Sequence, residues 1–138
     1  MDKQEKMKRI NESVQNTMTS TIGIEITDVG EDFICGKMPV DHRTKQPFGV
    51  LHGGASVVLA ETLGSISGGI KVYNNNETVV GIEINTNHLK SVDDGWVYGK
   101  ATPIRTRKNN HVWEIKITNE KDELICISRL TLAVMPKR

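Results

Sequence analysis

Residues 53–70 read GGASVVLAETLGSISGGI, and this run decides the fold. Leu59, Leu63, Ile66 and Ile70 recur at intervals of four, three and four, which makes one apolar stripe of an α-helix. The spacing predicts a helix from about Gly53 to Ile70, ended by Gly68-Gly69 and then by Asn74-Asn75-Asn76. At ~100° per residue, Glu61 falls opposite the stripe. It is the only charged residue of the run. One turn away lie Val57, Val58, Gly64 and Ser65, and two turns away lie Gly54 and Gly68. A solvated helix face normally carries Lys, Glu, Gln or Arg. Glycine inside a helix costs ~1 kcal/mol relative to alanine, so close approach of a second surface is the expected reason for it. The reading is a helix covered by its own sheet on one side and by something else on the other. A carboxylate in so dry a place is paired, hydrogen-bonded or functional; the bland alternative is a solvated glutamate on an amphipathic helix.

Working outward, everything beyond the helix alternates as strands do. Val80, Ile82, Ile84, Thr86 and His88 are expected on one strand face. Further strands begin at Trp96-Val97-Tyr98 and at Val112, and Leu124 to Met135 forms a long last one. Asp93-Asp94-Gly95, Lys108-Asn109-Asn110 and Glu120-Lys121-Asp122 read as turns, so the strands are expected to form an antiparallel meander. Before the helix, residues 41–51 (DHRTKQPFGVL) read as a loop. Two short strands are expected ahead of it, one with Ile22, Ile24 and Ile26 alternating, one from Phe33 to Val40. Residues 1–18 read as an amphipathic helix with Met7, Ile10, Val14 and Met18 on one side. The sum is an α+β domain spanning 1–138, one long helix against an antiparallel sheet.

Composition narrows the classes. The 138 residues carry 18 Lys and Arg against 17 Asp and Glu, a net charge of +1, which argues against a dominant nucleic-acid or membrane surface. No apolar run approaches the ~20 residues of a membrane span, and no secretory signal is visible. Two cysteines, Cys35 and Cys126, without CxxC spacing, read as reduced thiols of a cytoplasmic protein. The four histidines have no metal-ligand spacing, so no metal is expected.

Leu51-His52-Gly53-Gly54 opens the helix. Two glycines leave its first N–H groups unshielded at the positive end of the dipole, where they can stabilise a developing oxyanion. A flexible helix start without a ligand is the competing reading. Gly53 and Glu61 are eight residues apart, ~12 Å along the axis. They cannot reach one reacting carbon from one chain, but two facing helices of a two-fold dimer would bring them together twice.

The runs Met38 to Thr44, Gln46 to Ser56 (QPFGVLHGGAS) and Leu59 to Ser65 (LAETLGS) together resemble the hotdog-fold acyl-CoA thioesterases. The branch is that of the Arthrobacter-type 4-hydroxybenzoyl-CoA, 1,4-dihydroxy-2-naphthoyl-CoA and enterobactin proofreading thioesterases. Asn87 to Lys90, Gly95 to Val97, Ala101 to Ile104, Val112 to Ile115 and Ser128 to Thr131 continue the resemblance. It implies a long helix wrapped by an antiparallel sheet, dimerised through sheet edges and often paired into tetramers. It implies hydrolysis of aromatic or medium- to long-chain acyl-CoA thioesters, with coenzyme A only as part of the substrate and no cofactor.

The implied catalytic residues are Glu61 as base or nucleophile, the Gly53 N–H on the thioester carbonyl, Gln46 near that carbonyl, His52 positioning groups around it, and Ser65 holding the water or carboxylate. His88 lines the site. Read without the resemblance, Ser65 is as well a packing residue, His88 a core histidine and Gln46 a plain loop residue. Lys90, Arg105, Arg107 and Lys108 are candidates for the phosphates of coenzyme A, although a solvated turn explains the last three nearly as well. The competing function is a non-catalytic module that binds acyl-CoA or acyl carrier protein.

Overall fold

A computed structural model describes all 138 residues. Two helices, α1 (Lys3–Ser13) and α2 (Met18–Thr21), precede strands β1 (Glu25–Val29) and β2 (Ile34–Pro39). The long helix α3 (Gly53–Val72) runs into a 3-10 turn at Tyr73–Asn75. Strands β3 (Glu77–His88), β4 (Trp96–Thr106), β5 (Asn110–Thr118) and β6 (Leu124–Pro136) follow. The six strands form one antiparallel sheet in the order β1-β2-β4-β5-β6-β3, with α3 against one face. No helix is long and apolar enough to cross a membrane.

The sheet order departs from a simple meander. β4, β5 and β6 are joined as hairpins, but β3 pairs with β6, so residues 89–95 carry the chain back across the sheet instead of making a tight turn. Gly95 (φ 78°) takes the left-handed conformation that starts β4. The first helix also ends early. Asp2 caps α1 by accepting the Glu5 N–H at 2.8 Å, but the chain leaves helical geometry after Ser13, and Asn16 turns it at φ 63°. Met7 and Ile10 pack on the core, whereas Met18 is exposed, so the apolar side does not reach residue 18. The alternation at 22–26 begins later than its pattern suggests, because Ile22 still closes α2.

α1 is tied to the edge of the sheet. The Asn11 side chain donates through Nδ2 to the Ile26 carbonyl at 3.1 Å and accepts the Ile26 N–H through Oδ1 at 2.9 Å. One amide side chain thus makes on β1 the two bonds a neighbouring strand would make.

The core face of α3 is turned from the expected stripe. Leu59 and Leu63 are fully buried, but Ile66 is half-buried and Ile70 is 38% exposed. Apart from Val72 at its last residue, the rest of the buried face is small: Ser56, Ala60, Gly64, Ser67 and Gly68. Gly64 and Gly68 therefore do not meet a foreign surface. A Cβ on Gly64 would lie 2.6 Å from Leu130 of β6, and one on Gly68 2.5 Å from Leu132. These glycines let the chain's own sheet approach closely, and α3 continues through Gly68-Gly69 to Val72. The penalty of glycine in a helix is offset by this packing.

Leu63 sits in a matching notch. Gly36 of β2 and Gly99 of β4 face each other in register, and a Cβ on either would lie within 2.7 Å of a Leu63 methyl. Leu63→Ala would leave a hole walled by residues with no side chain to fill it. We expect a loss of about 3 kcal/mol and a fall in Tm of about 10 °C; a calorimetric scan showing less than a third of that would contradict the notch.

His111 is buried (2% exposed), with Nδ1 accepting from Trp113 Nε1 at 3.3 Å. Burial, aided by Lys71, pushes its pKa below the ordinary 6.5. The folded chain therefore keeps His111 neutral after the unfolded chain has begun to take up a proton. Its contribution is complete above pH 6.5 and is lost as pH falls through the folded value. Thermal unfolding between pH 7 and 5 should show a steeper loss for wild type than for His111→Gln, which keeps an acceptor for Trp113 but does not titrate.

Candidate active site

The loop before α3 is held rigidly. Thr44 is buried at 2% exposure and its Oγ1 donates to the Pro39 carbonyl at 2.6 Å and accepts the Asp41 N–H at 3.2 Å. The Arg43 guanidinium beside Asp41 lowers that carboxyl to about 2. His52 N–H donates to the Thr44 carbonyl at 2.8 Å, and Leu51 N–H to the Val92 carbonyl at 2.7 Å. Between these anchors Gly49 (φ 84°) closes a small turn, and Phe48 stands 91% exposed at its tip. Gln46 Oε1 accepts the Phe48 N–H, so its carbonyl is engaged within the loop.

His52 caps α3 with its side chain: Nδ1 accepts the Gly54 N–H at 2.7 Å. In the neutral ring this leaves the proton on Nε2, directed away from the helix. The Gly53 N–H is not used in this cap and has no acceptor within the chain. It is an orphan donor at the positive end of a 20-residue helix. His88, near the end of β3, covers it. A Cβ on Gly53 would lie 2.9 Å from His88 Nε2, so glycine here lets the imidazole reach the helix start. Gly53, Ser56, His88, Lys90, Val92 and Ile125 line a cleft of about 410 Å³.

Glu61 lies two turns further along and is exposed. Its carboxylate rests over Gly81 of β3, where a Cβ would stand 3.2 Å from Oε2. No lysine, arginine or histidine pairs with it among the ion pairs of the chain. The expectation that Glu61 sits in a dry cleft is corrected for the single chain: its face of α3 is open. Ser65, one turn on, is half-buried and makes no side-chain hydrogen bond.

His88 reaches the helix start because β3 is irregular. The register with β6 slips between Gly81 and Glu83, leaving Ile82 unpaired. The bulge shifts the alternation, so Val80 and Ile82 are 51% and 63% exposed while Ile84 packs on the core. One face shared by Val80 through His88 is therefore not what forms.

The candidate phosphate contacts divide into two groups. Lys90 lines the cleft and pairs with Glu123 at 2.6 Å, which lowers the Glu123 carboxyl below its usual range. Arg105, Arg107 and Lys108 are exposed at the β4–β5 hairpin. Ala133 faces that hairpin and Cys126 faces His88, so the two groups lie ~23 Å apart along β6. One chain does not bring them to one phosphate. No set of three or more His, Cys, Asp or Glu is placed to hold a metal ion.

Two positions escaped the sequence reading. Gly81 clears space for Glu61, and Thr44 fixes the loop that presents Gly53. Gly81 gives a weak signal, a glycine within a β-branched run; Thr44 gives none before its burial is known.

Over most of its length the chain is similar to known thioesterases. The family model described as Thioesterase superfamily matches residues 48–126, more than half of the chain. A 1,4-dihydroxy-2-naphthoyl-CoA hydrolase from Escherichia coli is 43% identical over 94% of this chain and 94% of its own. A proofreading thioesterase from Cronobacter turicensis is 43% identical over 94% and 93%. The crystal structure of a thioesterase from Haemophilus influenzae superposes with a TM-score of 0.92 at 51% identity, covering 94% of this chain and 90% of that one. The chain belongs to the thioesterase superfamily and is a thioester hydrolase of the hotdog fold.

Proposed function

We propose that the chain hydrolyses acyl-CoA thioesters to the free acid and coenzyme A, with Glu61 as base or nucleophile and the Gly53 N–H as the donor to the thioester carbonyl. The observation that carries this reading is the Gly53 N–H itself, unaccepted within the chain and lining a cleft beside His88. A thioester carbonyl is already electrophilic, so a donor for the developing oxyanion and a carboxylate suffice. In one route Glu61 takes a proton from a water that attacks the carbonyl carbon. The tetrahedral intermediate then collapses, the C–S bond breaks and the thiolate leaves. In the other, a Glu61 oxygen attacks the same carbon and expels the thiolate, and water opens the resulting anhydride. His52, with Nε2 free, and Ser65 and Gln46 orient the groups around the carbonyl, and His88 packs against the donor.

The site is assigned to two chains. Gly53 and Glu61 stand ~12 Å apart on one helix, too far to act on one carbon. β3 is a 12-residue strand at an open edge of the sheet, and its Gly81 lies beneath Glu61. Pairing two β3 edges about a two-fold axis would set the helices antiparallel and bring each Gly53 to the other chain's Glu61. In such an assembly, or in a tetramer built from it, Arg105, Arg107 and Lys108 serve the coenzyme A phosphates of a site on another subunit, and Lys90 serves those of its own cleft.

Thiol release from benzoyl-, dihydroxynaphthoyl-, hexanoyl- and palmitoyl-CoA tests the proposal. Turnover of at least one is expected. No turnover of any, with thermal stabilisation by the same compounds, would replace it with acyl-CoA binding alone.

A further inference from the structure

Ser56 stands one turn after Gly53, on the face of α3 that packs against the sheet. Leu59, Ala60 and Leu63 share that face, and Ser56 is itself only 3% exposed. A serine inside a helix commonly returns its hydroxyl to the carbonyl four residues back. Ser67 of the same helix does so, donating to the Leu63 carbonyl at 2.7 Å. Ser56 does not: its Oγ has no hydrogen-bond partner in the chain. It is not sealed in the core either, since no fully enclosed side-chain oxygen lacks a partner. The little surface it keeps opens onto the 410 Å³ cleft that it lines with Gly53 and His88. Alanine would fill nearly the same space, favour the helix more and bury no unpaired hydroxyl. The fold thus gives up stability to hold a free hydroxyl at this point.

Side chains of an α-helix lean towards its N-terminus. The Ser56 hydroxyl therefore points back over the turn that begins at Gly53, ~4.5 Å away along the axis. One cleft then holds two unused donors, the Gly53 N–H and the Ser56 O–H. A carbonyl oxygen has two lone pairs, and an oxyanion forming on it is held better by two donors than by one. Resting on the hydrolase reading above, we propose that Ser56 is a further catalytic residue, whose hydroxyl donates to the thioester oxygen beside the Gly53 N–H. No base accepts its proton, so Ser56 does not act as a nucleophile. The hydroxyl keeps that proton throughout, stabilises the charge while the tetrahedral intermediate stands, and is released when the C–S bond breaks.

Thiol release and ligand binding, compared between wild type and Ser56→Ala, test this. On the best acyl-CoA substrate, Ser56→Ala should lower kcat about 10²-fold with KM little changed. It should also melt no lower than wild type, because it removes an unpaired hydroxyl. Two unreactive analogues separate a donor from a packing residue. A ketone analogue, with methylene in place of sulfur, keeps the carbonyl; a thioether analogue, with methylene in place of the carbonyl, lacks it. By calorimetry, Ser56→Ala should bind the ketone about tenfold more weakly and the thioether as wild type does. Unchanged kcat in Ser56→Ala, or equal weakening of both analogues, would overturn the proposal. If wild type releases thiol from no acyl-CoA, the hydrolase reading fails by itself, and the two analogues still decide whether Ser56 touches the carbonyl.

Discussion

Glu61→Gln should lower kcat about 10²–10⁴-fold on every acyl-CoA the chain hydrolyses, with Tm unchanged. The side chain is exposed and bonds to nothing in the chain, so its loss removes no packing and no ion pair. Glutamine keeps the shape over Gly81 but can neither accept a proton nor attack a carbonyl. The drop should therefore appear in kcat more than in KM. A variant retaining a tenth of wild-type kcat would remove Glu61 from the mechanism.

Gly53→Pro should cost up to about 10³-fold in kcat, the scale of losing one oxyanion donor. Proline is suited to the first position of a helix, and His52 already has the extended ψ of 130° that a following proline requires. The helix therefore survives while the one N–H under test is deleted. Proline also brings a Cβ towards His88 Nε2, and Gly53→Ala separates that effect: it adds the same atom but keeps the N–H. Activity near wild type in Gly53→Ala with collapse in Gly53→Pro assigns the loss to the donor. Equal losses in both would assign it to displaced His88.

The two variants also test the shared site when mixed. With Gly53 and Glu61 acting from different chains, a hybrid of Glu61→Gln and Gly53→Pro subunits contains one site with both groups intact. After co-refolding, about a quarter of wild-type activity should return. No recovery, with hybrids demonstrated by mass, would place both groups of a site on one chain.

The helix and its site were the more legible half of the sequence. The 53–70 run carries a helical period, and Gly53, Glu61 and His88 stand out by residue type, so α3 and its functional groups could be located from local pattern. What failed was whatever depends on distant partners. Gly64 and Gly68 were legible as close-approach residues, but their partners, Leu130 and Leu132, lie more than sixty positions away, and local pattern pointed to the wrong surface. The bulge at Ile82 is marked only by the neighbouring Gly81, too weak a signal to break an alternating run, so local pattern keeps Val80 and His88 on one face. Lys90 and the Arg105 hairpin are alike candidates for phosphates by charge, but the sheet sets them far apart along β6.

The sheet's two edges are unlike, and the difference sets how large an assembly can grow. At β1, the Asn11 amide already occupies the Ile26 N–H and carbonyl, so an incoming strand finds them taken. At β3 nothing intervenes. A sheet with one sticky margin and one sealed margin joins a copy of itself once, sticky side to sticky side, and then has no margin left to extend. With both open, the same contact would propagate into a fibre. If two chains pair through β3 as proposed, the Asn11 bonds at Ile26 leave β1 closed there to a further strand.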